Sequence, residues 1–292
     1  MPKLLTNKKK AWVGQFKPTA VLRGKPLNYN ASIEEKYRAK MDKLINQMCD
    51  RTKKKLIALF KNHTISATDS FALDATLVAQ AKILVNQLTL QFNELFGYQA
   101  KPISESMVKA SNQASKSAVH QSLKELSGGL SLKTDFMSAP LAEVFTASVN
   151  ESVGLIKSIP QKYFSDVQGS VMRSISNGNG LADLVPALEK YEGITKRRAK
   201  IIASDQTKKV YNGLNKGRMQ KLGVDKYEWL HTGGASHPRE EHIAMSGQIF
   251  SLSNPPVIDS KTGQTGKPGD LINCSCRMLP VIEFNNGEQN DE

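Results

Sequence analysis

Hydrophobic positions recur at intervals of three, four and seven along most of the chain and alternate at the spacing of two only near its C-terminal end. Ser32, followed by Glu35 at capping-box spacing, predicts the start of a helix that runs to about Phe60. Its apolar positions Leu44, Met48, Ile57 and Phe60 sit amid Lys53, Lys54 and Lys55, so one face packs and the other is basic. A second helix is expected from Asp69 to Phe96, carried by Leu77, Ala81, Leu84, Leu88 and Leu95 and stopped by Gly97. A third, Ser104 to Leu126, has a small-residue face (Ala110, Ala114, Ala118) and ends before Gly128 and Gly129, so the pair should form an antiparallel hairpin. Pro140 opens a further helix to about Ser158, and Pro160 another to about Arg173.

The run Asn177-Gly178-Asn179-Gly180 breaks the pattern. Beyond it, a short helix kinked at Pro186 precedes a long one from Thr195 that Gly223 closes, with Ile201, Ile202, Val210, Leu214 and Leu222 facing a core. Strands are expected at Tyr227–Trp229, Ile249–Phe250 and Met278–Phe284, with a short helix at Pro238–Met245. The expected fold class is mainly α: an elongated N-terminal helical body with a small α+β C-terminal domain. The expected divisions are a basic arm at 1–31, the helical body at 32–176, the C-terminal domain at 181–284 and a polar tail at 285–292.

Charge changes this picture at one end only. Of the net +13 on 292 residues, +12 falls between Met1 and Asn62, where 16 basic side chains meet four acidic ones. Residues 1 to about 30 combine Lys clusters with Pro18, Gly24 and Pro26 and show no sustained period, which reads as an extended arm. Lys8, Lys9 and Lys10 on the arm, with Lys53, Lys54 and Lys55 on the first helix, are the candidate nucleic-acid contacts. The plainer reading is a solvated basic surface. No apolar run is long enough to span a bilayer, and the N-terminus lacks the apolar stretch of a signal peptide, so a cytoplasmic site of synthesis without a membrane anchor is expected.

Residue chemistry is densest between Trp229 and Arg277, which holds His231, His237, His242, Cys274 and Cys276. Two cysteines two residues apart on an extended segment point the same way. They could offer two thiolates to zinc, with His242 and either His237 or His231 completing a tetrahedron. The preferred reading is a packed, hydrogen-bonded knot with no cofactor, in which Arg239 and His242, one helical turn apart, bond backbone carbonyls or Asp270. An HExxH pattern is absent, so no enzymatic activity is expected.

These residues resemble the minor head, or head-morphogenesis, proteins of tailed phages, the phage Mu F-like family. The resemblance runs from about Ile194 to Phe284 and rests on elements in order: Arg198-Ala199, Asp205-Gln206-Thr207, Asn212 and Asn215, Gly223-Val224, Trp229, Arg239 and His242, Gly247 with Ile249-Phe250, Pro255-Pro256, Pro268-Gly269, and Asn273-Cys274-Ser275-Cys276. Three departures stand out: Ala235 and His237 where many relatives carry an Asp and an Arg, Ser204 for an Arg, and Ser275 for an Arg. The resemblance implies a structural virion protein near the portal vertex of the head, present in several copies around the portal. Its implied partners are the portal protein, the scaffold or major capsid protein, and packaged DNA, and its implied role is in head assembly and DNA packaging or ejection. Relatives with appended enzyme domains exist, and with eight residues after Phe284 none is expected here. The alternative is a DNA-binding or zinc-dependent nuclease module that uses the His/Cys cluster.

Overall fold

The computed structural model describes residues 19–62, 70–126, 133–134, 136–233 and 238–285. Its helices are α1 (Ala31–Asn62), α2 (Ser70–Leu126), α3 (Ala139–Ser176), α4 (Leu181–Lys221) and the short α5 (Glu240–Ala244). Its strands are β1 (Thr19–Arg23), β2 (Lys226–Leu230), β3 (Ile249–Ser251), β4 (Val257–Asp259), β5 (Gln264–Thr265) and β6 (Arg277–Asn285). The protein is mainly α, with a helical body and a small sheet region toward the C-terminus, as the hydrophobic pattern predicts. The described residues pack as two compact units of interleaved segments. One draws on Asn30–Ser111 and Phe145–Thr207, the other on the described parts of Met1–Tyr29, Asn112–Val144 and Lys208–Glu292.

The helices are fewer and longer than expected. Gly97 does not stop α2, and Pro102, Pro160 and Pro186 lie inside α2, α3 and α4. The expected Asp69–Leu126 hairpin is therefore one continuous helix. An interior Gly costs about 1 kcal/mol and an interior Pro about 3 kcal/mol, but both costs are local. The buried stripe Leu88, Phe92, Phe96, Ala100, Ile103 and Met107 passes Gly97 and Pro102 at unbroken helical spacing. Each buried large apolar side chain contributes about 1.5–3 kcal/mol, so the stripe outweighs both interruptions. Ile156, Ile159, Tyr163 and Phe164 do the same across Pro160. The break at Asn177–Gly180 holds, with Gly178 at φ +74° and Gly180 at φ +51°.

In the helical unit, α1 buries Tyr37, Met41, Ile45, Met48, Leu56 and Phe60. Its N-terminus departs from expectation. Asn30 caps it, Oδ1 accepting the Ser32 N–H at 3.0 Å, so the Ser32/Glu35 capping box is not the start signal. Phe92 stacks on Phe164 with centroids 6.0 Å apart, and Tyr163 meets Phe164 edge-on at 5.2 Å. Gln206 is buried within this unit: its Oε1 accepts from the Ser152 hydroxyl at 3.2 Å and its Nε2 donates to Glu151 at 3.1 Å. Burial pushes the Cys49 thiol up to about 12, which leaves it an inert core residue. Ile202 is buried but Ile201 is 41% exposed, so only one of that expected core pair faces inward.

In the other unit, the four-stranded antiparallel sheet has the order β1-β6-β2-β3, with a separate β4-β5 pair. Strand β1 lies within the stretch expected as a free arm, and it pairs along its whole length with Val281–Asn285 of β6. Gly24, which follows it, donates to Pro280 O at 2.9 Å, and a Cβ there would lie 2.3 Å from Ser122 Oγ on α2. That hydroxyl is fixed by bonds to both the N–H and the C=O of Lys25, each 2.9 Å. Tyr227, Trp229 and Met278 of the sheet share a core with Val119 and Leu123 of α2 and Tyr211 and Met219 of α4. Arg218 is buried beside them and donates to Ser115 Oγ, Asn112 Oδ1 and Thr134 O at 2.8, 2.5 and 3.3 Å. Asp225 fastens the β3 corner by accepting from Ser253 N–H at 3.0 Å and from the Ser251 and Ser253 hydroxyls at 2.5 Å each.

Candidate functional site

Three chain segments converge where β2 ends. His231 immediately follows β2, His242 sits on α5, and Cys274 and Cys276 lie in the turn that leads into β6. The turn is shaped by Asn273, a non-glycine residue at positive φ (+61°), a conformation that Asn tolerates better than most side chains. Cys274 and Cys276 directly precede β6, and both sulfurs face His242. His242 Nδ1 lies 3.5 Å from Cys274 Sγ and 3.7 Å from Cys276 Sγ, and His231 Nδ1 lies 3.5 Å from Cys276 Sγ. His242, Cys274 and Cys276 are all buried.

The surroundings hold these groups in place. His242 Nε2 is 3.1 Å from Ile258 O, and since a carbonyl only accepts, Nε2 carries the proton and Nδ1 is the atom turned to the sulfurs. The ring packs edge-on to Trp229, centroids 5.0 Å apart, and Trp229 is completely buried. The Gly269 N–H points at Cys274 Sγ at 3.4 Å, and Asn212 Nδ2 holds the neighbouring Pro268 carbonyl at 2.9 Å. Thr232 donates to Ser275 O at 2.7 Å and Lys208 to Ser275 Oγ at 3.0 Å, so Ser275 is tied down from both sides.

This arrangement splits the two thiols. The Cys276 thiol donates to Cys274 Sγ and, together with His242 and the N–H groups of Cys276 and Gly269, holds Cys274 well below an ordinary thiol, against the effect of burial. Cys276 is pushed up by its bond to Cys274 and by burial. For His242, burial opposes the charged ring, but Cys274 and the Ile258 carbonyl outweigh it and raise its pKa. The site is therefore a soft N/S donor set in an apolar setting.

Arg239 donates to Ile272 O at 3.2 Å, and Asp270 bonds Lys267 instead of Arg239 or His242. Gly247, at φ +84°, donates to Trp229 O at 2.8 Å and turns the chain from α5 into β3. Asp205, Gln206 and Thr207 belong to the helical unit and do not join the His/Cys cluster. His237, Lys8, Lys9 and Lys10 lie outside the described residues. On α1, Lys53 is paired with Glu189 at 2.6 Å, while Lys54 and Lys55 are exposed. The supporting Ile258 carbonyl and Gly269 N–H were not legible in the sequence, because backbone groups carry no side-chain signal.

The role of Asn273 is directly testable. Asn273→Gly should leave stability nearly unchanged, whereas Asn273→Val should cost about 1–2 kcal/mol through the left-handed backbone, measured by urea unfolding of the two variants side by side. Equal stabilities would remove backbone conformation as the reason for Asn at this position.

Residues 165–279 match the family described as Phage Mu protein F like protein. An uncharacterized protein of Haemophilus influenzae (strain ATCC 51907 / DSM 11121 / KW20 / Rd) is 31% identical over 188 residues, which cover 64% of this chain. The aligned part is 40% of that protein, so the chain spans less than half of its relative's length. No solved structure matches. The family match takes in Gln206, Asn212, Trp229, His242, Gly269 and the Cys274/Cys276 pair, so the packing described above is that of the family segment. Over residues 165–279 the chain is similar to the family of phage Mu protein F-like proteins.

Proposed function

We propose that this chain is a minor structural protein of a tailed-phage head, carried in several copies at the portal vertex and acting in head assembly and in DNA packaging or ejection. The family match over residues 165–279 is the observation that carries the reading. In this reading the Trp229/His242/Cys unit is a stable docking element, and the portal, with the scaffold or major capsid protein, is its partner. The +12 carried by residues 1–62 suits packaged DNA, since each phosphate neutralised by Lys or Arg releases counterions and strengthens binding at low salt. The burial of His242, Cys274 and Cys276 favours structural over hydrolytic use, because catalytic metal sites keep a ligand position open to substrate. Among the described residues no helix is long and apolar enough to cross a membrane.

The test is mass spectrometry of purified procapsids assembled with and without portal. The chain should be present at low copy number and vanish without portal, and its absence from particles would sink the reading. In parallel, removing residues 1–18, which precede β1, should flatten the salt dependence of DNA retention, and an unchanged salt series would detach the arm from DNA. The double variant His242→Ala/Cys274→Ala separates the alternatives: a structural unit loses stability or incorporation into heads, whereas a nuclease stays folded and loses cleavage.

A further inference from the structure

We propose that His242 Nδ1, Cys274 Sγ and Cys276 Sγ are ligands of a structural zinc ion, with His231 Nδ1 as the fourth. The inference concerns this chain's own residues and does not depend on the head-assembly reading. Zinc with two sulfurs at about 2.3 Å and two nitrogens at about 2.0–2.1 Å in a tetrahedron requires ligand atoms about 3.3–3.8 Å apart. Three such separations are already present: 3.5 Å and 3.7 Å from His242 Nδ1 to the two sulfurs, and 3.5 Å from His231 Nδ1 to Cys276 Sγ. The nitrogen of His242 and both sulfurs lie within 4.8 Å of one another.

The surroundings fit as well. A metal-bound imidazole presents one nitrogen to the ion and donates its other N–H to a carbonyl or carboxylate, as His242 does to Ile258 O. The Gly269 N–H directed at Cys274 Sγ offsets thiolate charge. Three buried ligands make a closed structural site, and the half-buried His231 leaves one side by which an ion can enter. The segments joined are a five-residue helix, a loop and the ends of two strands, which a metal cross-link would tie to one another. On binding, the thiols release their protons to solvent and no redox step is involved.

The experiment uses the full-length chain without a histidine tag, expressed with added zinc and purified under reducing conditions. Elemental analysis should find about one zinc per chain. Cobalt(II) replacing it in the wild-type protein should show the sulfur-to-metal charge-transfer band and the visible bands of a tetrahedral site. Cys274→Ser and Cys276→Ser should each abolish that spectrum, and Cys49→Ala, which belongs to the helical unit, should keep it. His231→Ala should weaken binding more than about 10-fold. Unchanged affinity in His231→Ala would remove His231 from the ligand set. The cobalt measurement on the wild type needs no variant to fold. Metal-free protein that takes up neither zinc nor cobalt, or a Cys274–Cys276 disulfide in the freshly purified chain, overturns the proposal.

Discussion

Replacing Gly269 by alanine should destabilise the sheet unit by about 2–5 kcal/mol, from two separate causes. Its φ of +87° is a left-handed conformation that costs a side-chain-bearing residue about 1–2 kcal/mol. The added Cβ would lie 2.1 Å from Asn212 Nδ2, which is not free to move because it donates to the adjacent Pro268 carbonyl. Moving the amide leaves that carbonyl unsatisfied, and leaving it in place forces the loop away from α4. The loop also carries the Gly269 N–H that faces Cys274, so His/Cys geometry should degrade together with stability. A double-mutant cycle with Asn212→Ala separates the causes. In that background Gly269→Ala should cost about 1–3 kcal/mol less, leaving only the backbone term. Additivity of the two variants in urea unfolding would show that the predicted clash is relieved elsewhere.

Trp229→Ala should cost about 3–5 kcal/mol, near the upper end for a single core truncation. Trp229 is completely buried, packs edge-on against both His242 and Phe250, and pairs through β2 with Met278 of β6. Its loss opens a cavity beneath the His242 ring. Trp229→Phe should recover more than half of the loss by keeping an aromatic edge at that position. Far-ultraviolet circular dichroism across a urea series is the appropriate readout, since the substitution removes an indole fluorophore. A loss below about 1 kcal/mol would mean that the unit collapses into the space and that Trp229 is not its keystone.

Helical periodicity located α1 to α4 and the break at Asn177–Gly180, because a buried stripe repeats in the chain itself. It misplaced the ends: Gly97 read as a stop, Pro160 as a start and Pro186 as a kink, yet they lie inside helices whose buried faces continue across them. Local breaker signals have a known cost, but whether neighbouring stripes outweigh it depends on packing that a linear reading does not contain. The same limit hid β1. Thr19–Arg23 has no distinctive alternation and becomes a strand because β6, more than 250 residues away, offers it an edge.

The sequence alone determined the mainly α class, the C-terminal sheet region, the phage Mu F-like resemblance, and the density of His and Cys around Trp229, since all of these are properties of residue type and order. It also led to the expectation that Cys274 and Cys276 share a side, by alternation along an extended segment. Only the tertiary structure decided that His242 meets both sulfurs, that His231 stands beside Cys276, and that Gln206 serves the helical unit instead of the cluster. Those pairings join residues 32 to 54 positions apart, and loop geometry and backbone partners such as Ile258 O and Gly269 N–H select them. Side-chain identity sets which groups can bond, and the folded backbone sets which of them come within reach.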